Sequence, residues 1–174
     1  MRQCGGCTLC CKLVPVKEID KKGGARCCHQ RTGKGCAVYQ RPAFPISCAL
    51  WSCRWLSDPD AAALGRPDRT HYVIDVMPDT IIVTPAGGEP IELSVLQVWL
   101  DPKFPDAHRD TALRAYIDNA GVAAIMRWDE RRGFVLFPPS VSPTGRWHEE
   151  HSGQVIEREA FPKTRNHAPE GTSR

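Results

Sequence analysis

All nine cysteines of this 174-residue chain lie between positions 4 and 53, and the last two-thirds of the chain has none. Cys4, Cys7, Cys10 and Cys11 stand within eight positions, in the spacing C-x2-C-x2-C-C. Cys27, Cys28, Cys36, Cys48 and Cys53 complete the set. Thiols this dense organise a short segment either by disulfides or by metal. The opening Met-Arg-Gln-Cys-Gly-Gly has no apolar leader and no cleavage motif. A cytoplasmic, reducing setting is therefore expected, and in that setting metal or redox chemistry takes precedence over a disulfide scaffold.

The spacing says which residues carry that chemistry. C-x2-C is a loop spacing that lets two thiolates reach one ion, in zinc and iron–sulfur sites alike. The triple run C-x2-C-x2-C is similar to the first three ligands of bacterial cluster-binding runs. Gly5-Gly6 disfavours a helix and lets backbone amides turn toward sulfur. Gly33-Lys34-Gly35 delivers Cys36 in the same way. A lone cysteine is ordinarily a small apolar core residue, but four in eight positions exceed that explanation. Vicinal cysteines seldom serve one centre, so one of Cys10/Cys11 and one of Cys27/Cys28 is expected to serve a second centre or none. His29 adds an imidazole that suits zinc or iron. Cys48 and Cys53 are about 1.4 turns apart if helical, which would face both at one site. Trp51, Trp55 and Leu56 would cover it.

Taken together, Cys4-x2-Cys7-x2-Cys10-Cys11-Lys12, Cys27, Gly35-Cys36-x2-Tyr39, an Arg-Pro and Cys48-x4-Cys53-x-Trp55-Leu56 resemble the bacterial zinc- or iron-chelating cysteine-cluster family, also called YkgJ-type or CxxCxxCC proteins. The resemblance covers about residues 4–56. It implies metal ligation by Cys4, Cys7, Cys10, Cys11, Cys27, Cys36, Cys48 and Cys53, with Cys28 and His29 as further candidates. It leaves the metal open between zinc and iron. Two features depart from the pattern: Gln30 stands where relatives often carry a cysteine, beside an extra Cys28, and the approach from Arg41-Pro42 to Cys48 is long.

Charge is unevenly placed. Residues 1–56 hold ten Lys/Arg against two Asp/Glu, and residues 57–174 hold thirteen against eighteen. Four thiolates on one zinc ion leave a charge of −2, which scattered cations would offset. The bases come singly, without the runs and interleaved aromatics of a nucleic-acid face, so nucleic acid is not expected as a partner. No apolar run approaches a membrane span.

The remainder reads as β-rich. Residues 13–16 suggest an irregular strand around Pro15. Residues 58–64 begin as a capped helix, with proline after aspartate. Strands are expected at 71–77, 80–84 and 91–100, the last as the central strand. A helix is expected over 106–120 with Leu113, Tyr116 and Ile117 on one face, then a hairpin at 122–128 and 133–137. His148 and His151 in a polar stretch read as solvated, and residues from about 160 as polar and frayed.

The expected architecture is α+β. A metal-stabilised loop and short-helix module, residues 1–57, packs on an antiparallel sheet with one main helix in residues 58–138, and residues 139–174 form a polar tail. The expected function is chelation of zinc or iron, mononuclear or as a cluster, through the N-terminal cysteines. An iron–sulfur electron-transfer protein and a zinc-stapled module that binds a protein partner are the alternatives. No phosphate loop, nucleophile elbow or catalytic base is legible.

Overall fold

A computed structural model describes residues 2–84 and 87–151. The N-terminal third is built from short pieces: α1 (Cys10–Leu13), a two-stranded hairpin of β1 (Gln30–Arg31) and β2 (Gly35–Cys36), α2 (Ile46–Leu50) and α3 (Arg54–Ser57). A 3-10 turn at Pro59–Ala63 and α4 (Pro67–Thr70) lead into the sheet. There follow β3 (Tyr72–Ile74), β4 (Asp79–Val83), β5 (Ile91–Leu100), a 3-10 turn at Pro105–Arg109, α5 (Thr111–Ala120), β6 (Ala124–Arg127), β7 (Gly133–Phe137) and β8 (His148–Glu150).

β5 is the spine, as its length and β-rich composition suggest. β3 and β4 pair with it antiparallel along one side. They act as one broken strand: Ile74 opposes Val98 and Asp79 opposes Val95, so residues 75–78 face only residues 96–97. The surplus residues form a bulge, a feature that bends a strand and re-aims its side chains.

The sheet is mixed rather than purely antiparallel. β6 runs parallel to β5, because α5 carries the chain back before β6 begins, the crossover that a parallel pair requires. β7 and β8 then add antiparallel. β8 lies within the stretch that sequence assigns to the tail. The polar residues from about 160 lie outside the described residues.

Alternation along the strands produces two buried faces. Tyr72, Ile74, Leu96, Val98, Leu100, Met126 and Leu136 pack against Leu113, Tyr116 and Ile117 of α5. Val73 and Trp99 point the other way and meet Leu9 and Leu13 of the cysteine module. Burial from both sides explains why residues 95–100 read as a nearly continuous apolar run.

The helix expected over 106–120 is divided. Asp110 interrupts it, its carboxylate accepting from the Ala112 amide at 2.9 Å as an N-cap and from the Tyr72 hydroxyl at 3.0 Å. Residues 13–16 form no strand. Leu13 closes α1, and Val16 makes a single bridge to Lys21. No helix among the described residues is long and apolar enough to cross a membrane.

Candidate metal centre

The cysteine loops are held together by close backbone packing and a few long-range polar contacts. A Cβ on Gly6 would fall 2.5 Å from the Gly33 carbonyl oxygen, so glycine is required where the N-terminal cysteine loop crosses the β1–β2 turn. Gln30 donates to the Thr8 hydroxyl at 2.9 Å; the residue that departs from the cysteine pattern ties the hairpin to the N-terminal cysteine loop. Glu18 accepts from the Ser47 amide at 2.8 Å and its hydroxyl at 2.7 Å, satisfying an amide at the start of α2 that has no intrahelical partner.

Asp75, in the strand bulge, docks this assembly on the sheet. The residue is 6 % exposed. Its carboxylate accepts from Trp51 Nε1 at 2.7 Å and from the Met77 amide at 2.9 Å. Its carbonyl accepts from Arg54 Nε at 3.0 Å, and its backbone bridges Cys53. Burial pushes its carboxyl above the usual range, against the pull of these hydrogen bonds. Lys12 makes a second anchor to the carboxylate of buried Asp101 at 2.6 Å.

Cys10 and Cys11 are neighbours on α1. Cys4, Cys7, Cys10 and Cys53 line one cavity of about 20 Å³, room for a single small occupant. Trp55, Leu56, Pro67 and Val73 supply its apolar wall. Burial pushes the Cys48 thiol up to about 11, helped by the charges of Cys11, Cys27, Glu18 and Cys36. The Cys27 amide donates to the Cys11 carbonyl at 2.9 Å, and the β1–β2 hairpin holds Cys36.

Cys48 and Cys53 therefore do not face one site along a common helix. α2 ends at Leu50, and Trp51 and Cys53 are extended. The Trp51–Asp75 hydrogen bond and the Cys53–Asp75 bridge hold that conformation. Cys28 is exposed and does not line this cavity; its thiol acts on that of Cys27, and the His29 amide donates to Cys27 Sγ at 3.4 Å.

The electrostatics favour partial ionisation. A hydrogen bond from Cys4 holds the Cys7 thiol below its ordinary value, assisted by the amides of Leu9 and Asp68. Cys10 does the same for Cys11, assisted by the Lys21 ammonium. Lys21 is 7 % exposed, and its ammonium donates to the carbonyls of Lys12, Val14 and Lys22. Burial pushes the Lys21 ammonium down, and the charges of Cys27 and Cys11 oppose that push.

Side-chain placement stops short of a coordination sphere. As the side chains stand, no group of three or more His, Cys, Asp or Glu among the described residues has a geometry that could hold a metal ion. All nine cysteines are free thiols. The donor chemistry still suits a soft or borderline ion: four sulfurs about one small cavity, with no carboxylate among its lining residues. Sequence reasoning missed Lys21, Asp68 and Asp75. Asp68 follows a proline at a helix start, a legible signal; nothing local marks the other two. Compared with family models, with curated proteins and with solved structures, the chain gives no match.

Proposed function

We propose that residues 4–53 chelate zinc or iron through cysteine thiolates, in a reducing, cytoplasmic setting. The observation that carries this reading is the cavity bounded by Cys4, Cys7, Cys10 and Cys53 and walled by apolar side chains. An apolar shell limits solvent access and tunes ligand lability or potential. One sulfur in each of the pairs Cys4/Cys7 and Cys10/Cys11 is already biased toward the thiolate, the form that binds metal. The metal would supply the cross-links that the short helices and loops of this segment lack. Cys11, Cys27, Cys36 and Cys48 are the second ligand set, which accounts for the vicinal pair at 10–11.

Elemental analysis and visible absorption of protein purified without oxygen test the reading. Zinc gives a colourless protein, and an iron–sulfur cluster gives a brown one with broad visible absorption. Protein that is folded, fully reduced and free of both metals, and that takes up neither on reconstitution, refutes it.

A second reading has its own support. Tyr39, Ile46 and Leu50 are 61 %, 72 % and 74 % exposed on the cysteine module. Large apolar side chains left in water beside a metal-ordered loop favour a module that meets a protein partner.

A further inference from the structure

The first half of β5 projects beyond the rest of the sheet. β6 reaches no further along it than Leu96, and β3 no further than Val98. Residues 91–95 pair with β4, and among the described residues β4 pairs with no other strand. The two make a two-stranded ribbon. Its register sets Ile81 beside Leu93 and Val83 beside Ile91. Paired residues share a face, and strand alternation puts these four on the face that carries Val95 and Trp99. Val95 lies there in a buried cluster with Ala123 and Ile125, on which Ile81, Val135 and Phe137 pack. An apolar strip therefore runs from the sheet out along the ribbon. The cysteine module covers the other end of this face, at Val73 and Trp99. On the ribbon, Ile91 and Leu93 are 49 % and 39 % exposed. A two-stranded ribbon is marginal in water by itself, and large apolar side chains exposed together indicate a contact surface.

We propose that this strip is a homodimer interface, on which a second copy of the chain packs the same face of its own ribbon about a two-fold axis. Charge selects that occupant. Residues 79–95 contain no Lys or Arg, and their acidic residues are Asp79, Glu89 and Glu92. Asp79 Oδ2 pairs with Arg127 Nη2 at 2.6 Å within the chain. Alternation puts Glu92 on the opposite face of the ribbon, beside Ile82. Glu89 lies outside both strands. The strip itself therefore carries no charge that its own chain does not neutralise. A two-fold contact sets one patch against its identical copy, and here that brings no like charges together. Nucleic acid and anionic lipid are bound through Lys and Arg, which the ribbon lacks. Sheet faces pack on one another by interdigitating their apolar side chains. Neither strand of the ribbon carries the Lys or Pro with which natural strands resist association.

The test is analytical ultracentrifugation of the full-length protein, kept reduced so that no disulfide joins two copies. The expected species has twice the chain mass of 19.4 kDa and dissociates at about 1 μM or below. Ile91→Lys and Leu93→Lys, both at exposed positions, should each weaken the dimer by about tenfold or more. Together they should give a monomer with an unchanged far-ultraviolet circular dichroism spectrum. Ile82→Lys, on the opposite face of the same ribbon, should remain dimeric. If the double variant loses structure, hydrogen exchange of the parent decides: protection of residues 91–95 should fall on dilution as the dimer dissociates. Protection that stays constant through that dissociation overturns the proposal. So does a parent that is monomeric at about 100 μM, or a dimer that the folded double variant keeps or that Ile82→Lys breaks equally. A monomer whose ribbon is protected only while residues 152–174 are present, or only when another protein is added, assigns the strip to that occupant and also overturns it.

Discussion

Replacing Asp75 tests whether one buried carboxylate docks the cysteine module on the sheet. Asp75→Ala removes the acceptor of Trp51 Nε1 and of the Met77 amide. A buried donor left unpaired costs about 1–3 kcal/mol, so the pair sets a ceiling of about 6 kcal/mol. Removing a desolvated carboxylate returns part of that, and the expected net loss is about 2–4 kcal/mol. Against a total of about 5–15 kcal/mol for a domain, this is large.

Asp75→Asn is the informative control. It keeps a side-chain oxygen for the same donors and should cost under about 1 kcal/mol at neutral pH. The two differ in pH dependence. Burial raises the Asp75 carboxyl in the folded state, so the folded protein holds this proton more tightly than the unfolded chain. Asp75 therefore makes stability fall as pH rises from the ordinary carboxylate value through the raised folded value, and the difference stays constant above it. Asp75→Asn should lack that decline. Urea unfolding followed by tryptophan fluorescence measures both effects, and thiol-reagent kinetics report exposure of Cys53. An Asp75→Ala protein within about 0.5 kcal/mol of the parent, the scatter of an inconsequential surface change, with unaltered Cys53 reactivity, would refute the docking role.

Gly6→Ala should destabilise the cysteine module by about 1–3 kcal/mol as its Cβ drives into the Gly33 carbonyl. Gly33→Ala has open space around its Cβ and should lose only the left-handed backbone preference, about 1–2 kcal/mol; equal metal retention and stability in Gly6→Ala and the parent would contradict the close approach. Cys28→Ser should leave metal content unchanged by elemental analysis, whereas Cys53→Ser and Cys48→Ser should each lower it, and the double variant should lower it further because the two residues serve different proposed ligand sets. Affinity for nucleic acid, measured by fluorescence anisotropy, should be weak and vanish at physiological salt; selective binding that survives such salt would reassign the basic residues.

Much of the β-rich region was legible because its signals are local. β5 runs from Ile91 to Leu100 as its composition implies. Leu113, Tyr116 and Ile117 are the buried face of α5, since helical periodicity puts them on one stripe. Gly121 ends that helix at φ 63°, a conformation that glycine adopts without strain. What failed was longer in range. The parallel pairing of β6 with β5 follows from the course of the crossover. β8 is a three-residue strand of His and Glu, and its pairing with β7 leaves no trace in local composition. The irregular strand at 13–16 did not form: Leu13 is taken into the end of α1, fully buried, and Val16 makes only an isolated bridge.

By itself the sequence determined that a thiol-rich segment precedes a β-rich one, and which eight sulfurs are the candidate ligands. Spacing marks the C-x2-C-x2-C-C run as ligand-like, and the full set of eight is what the resemblance to the cysteine-cluster family implies. Only the tertiary structure decided which sulfurs stand together. Cys48 and Cys53, five positions apart, separate because Trp51 and Cys53 are held extended on Asp75. Cys4 and Cys53 meet at one cavity because both segments pack on the same face of the sheet. His108 and Glu149, forty-one positions apart, face each other for the same kind of reason. Such meetings depend on where whole elements dock, and docking is set by burial summed over many side chains rather than by any local spacing.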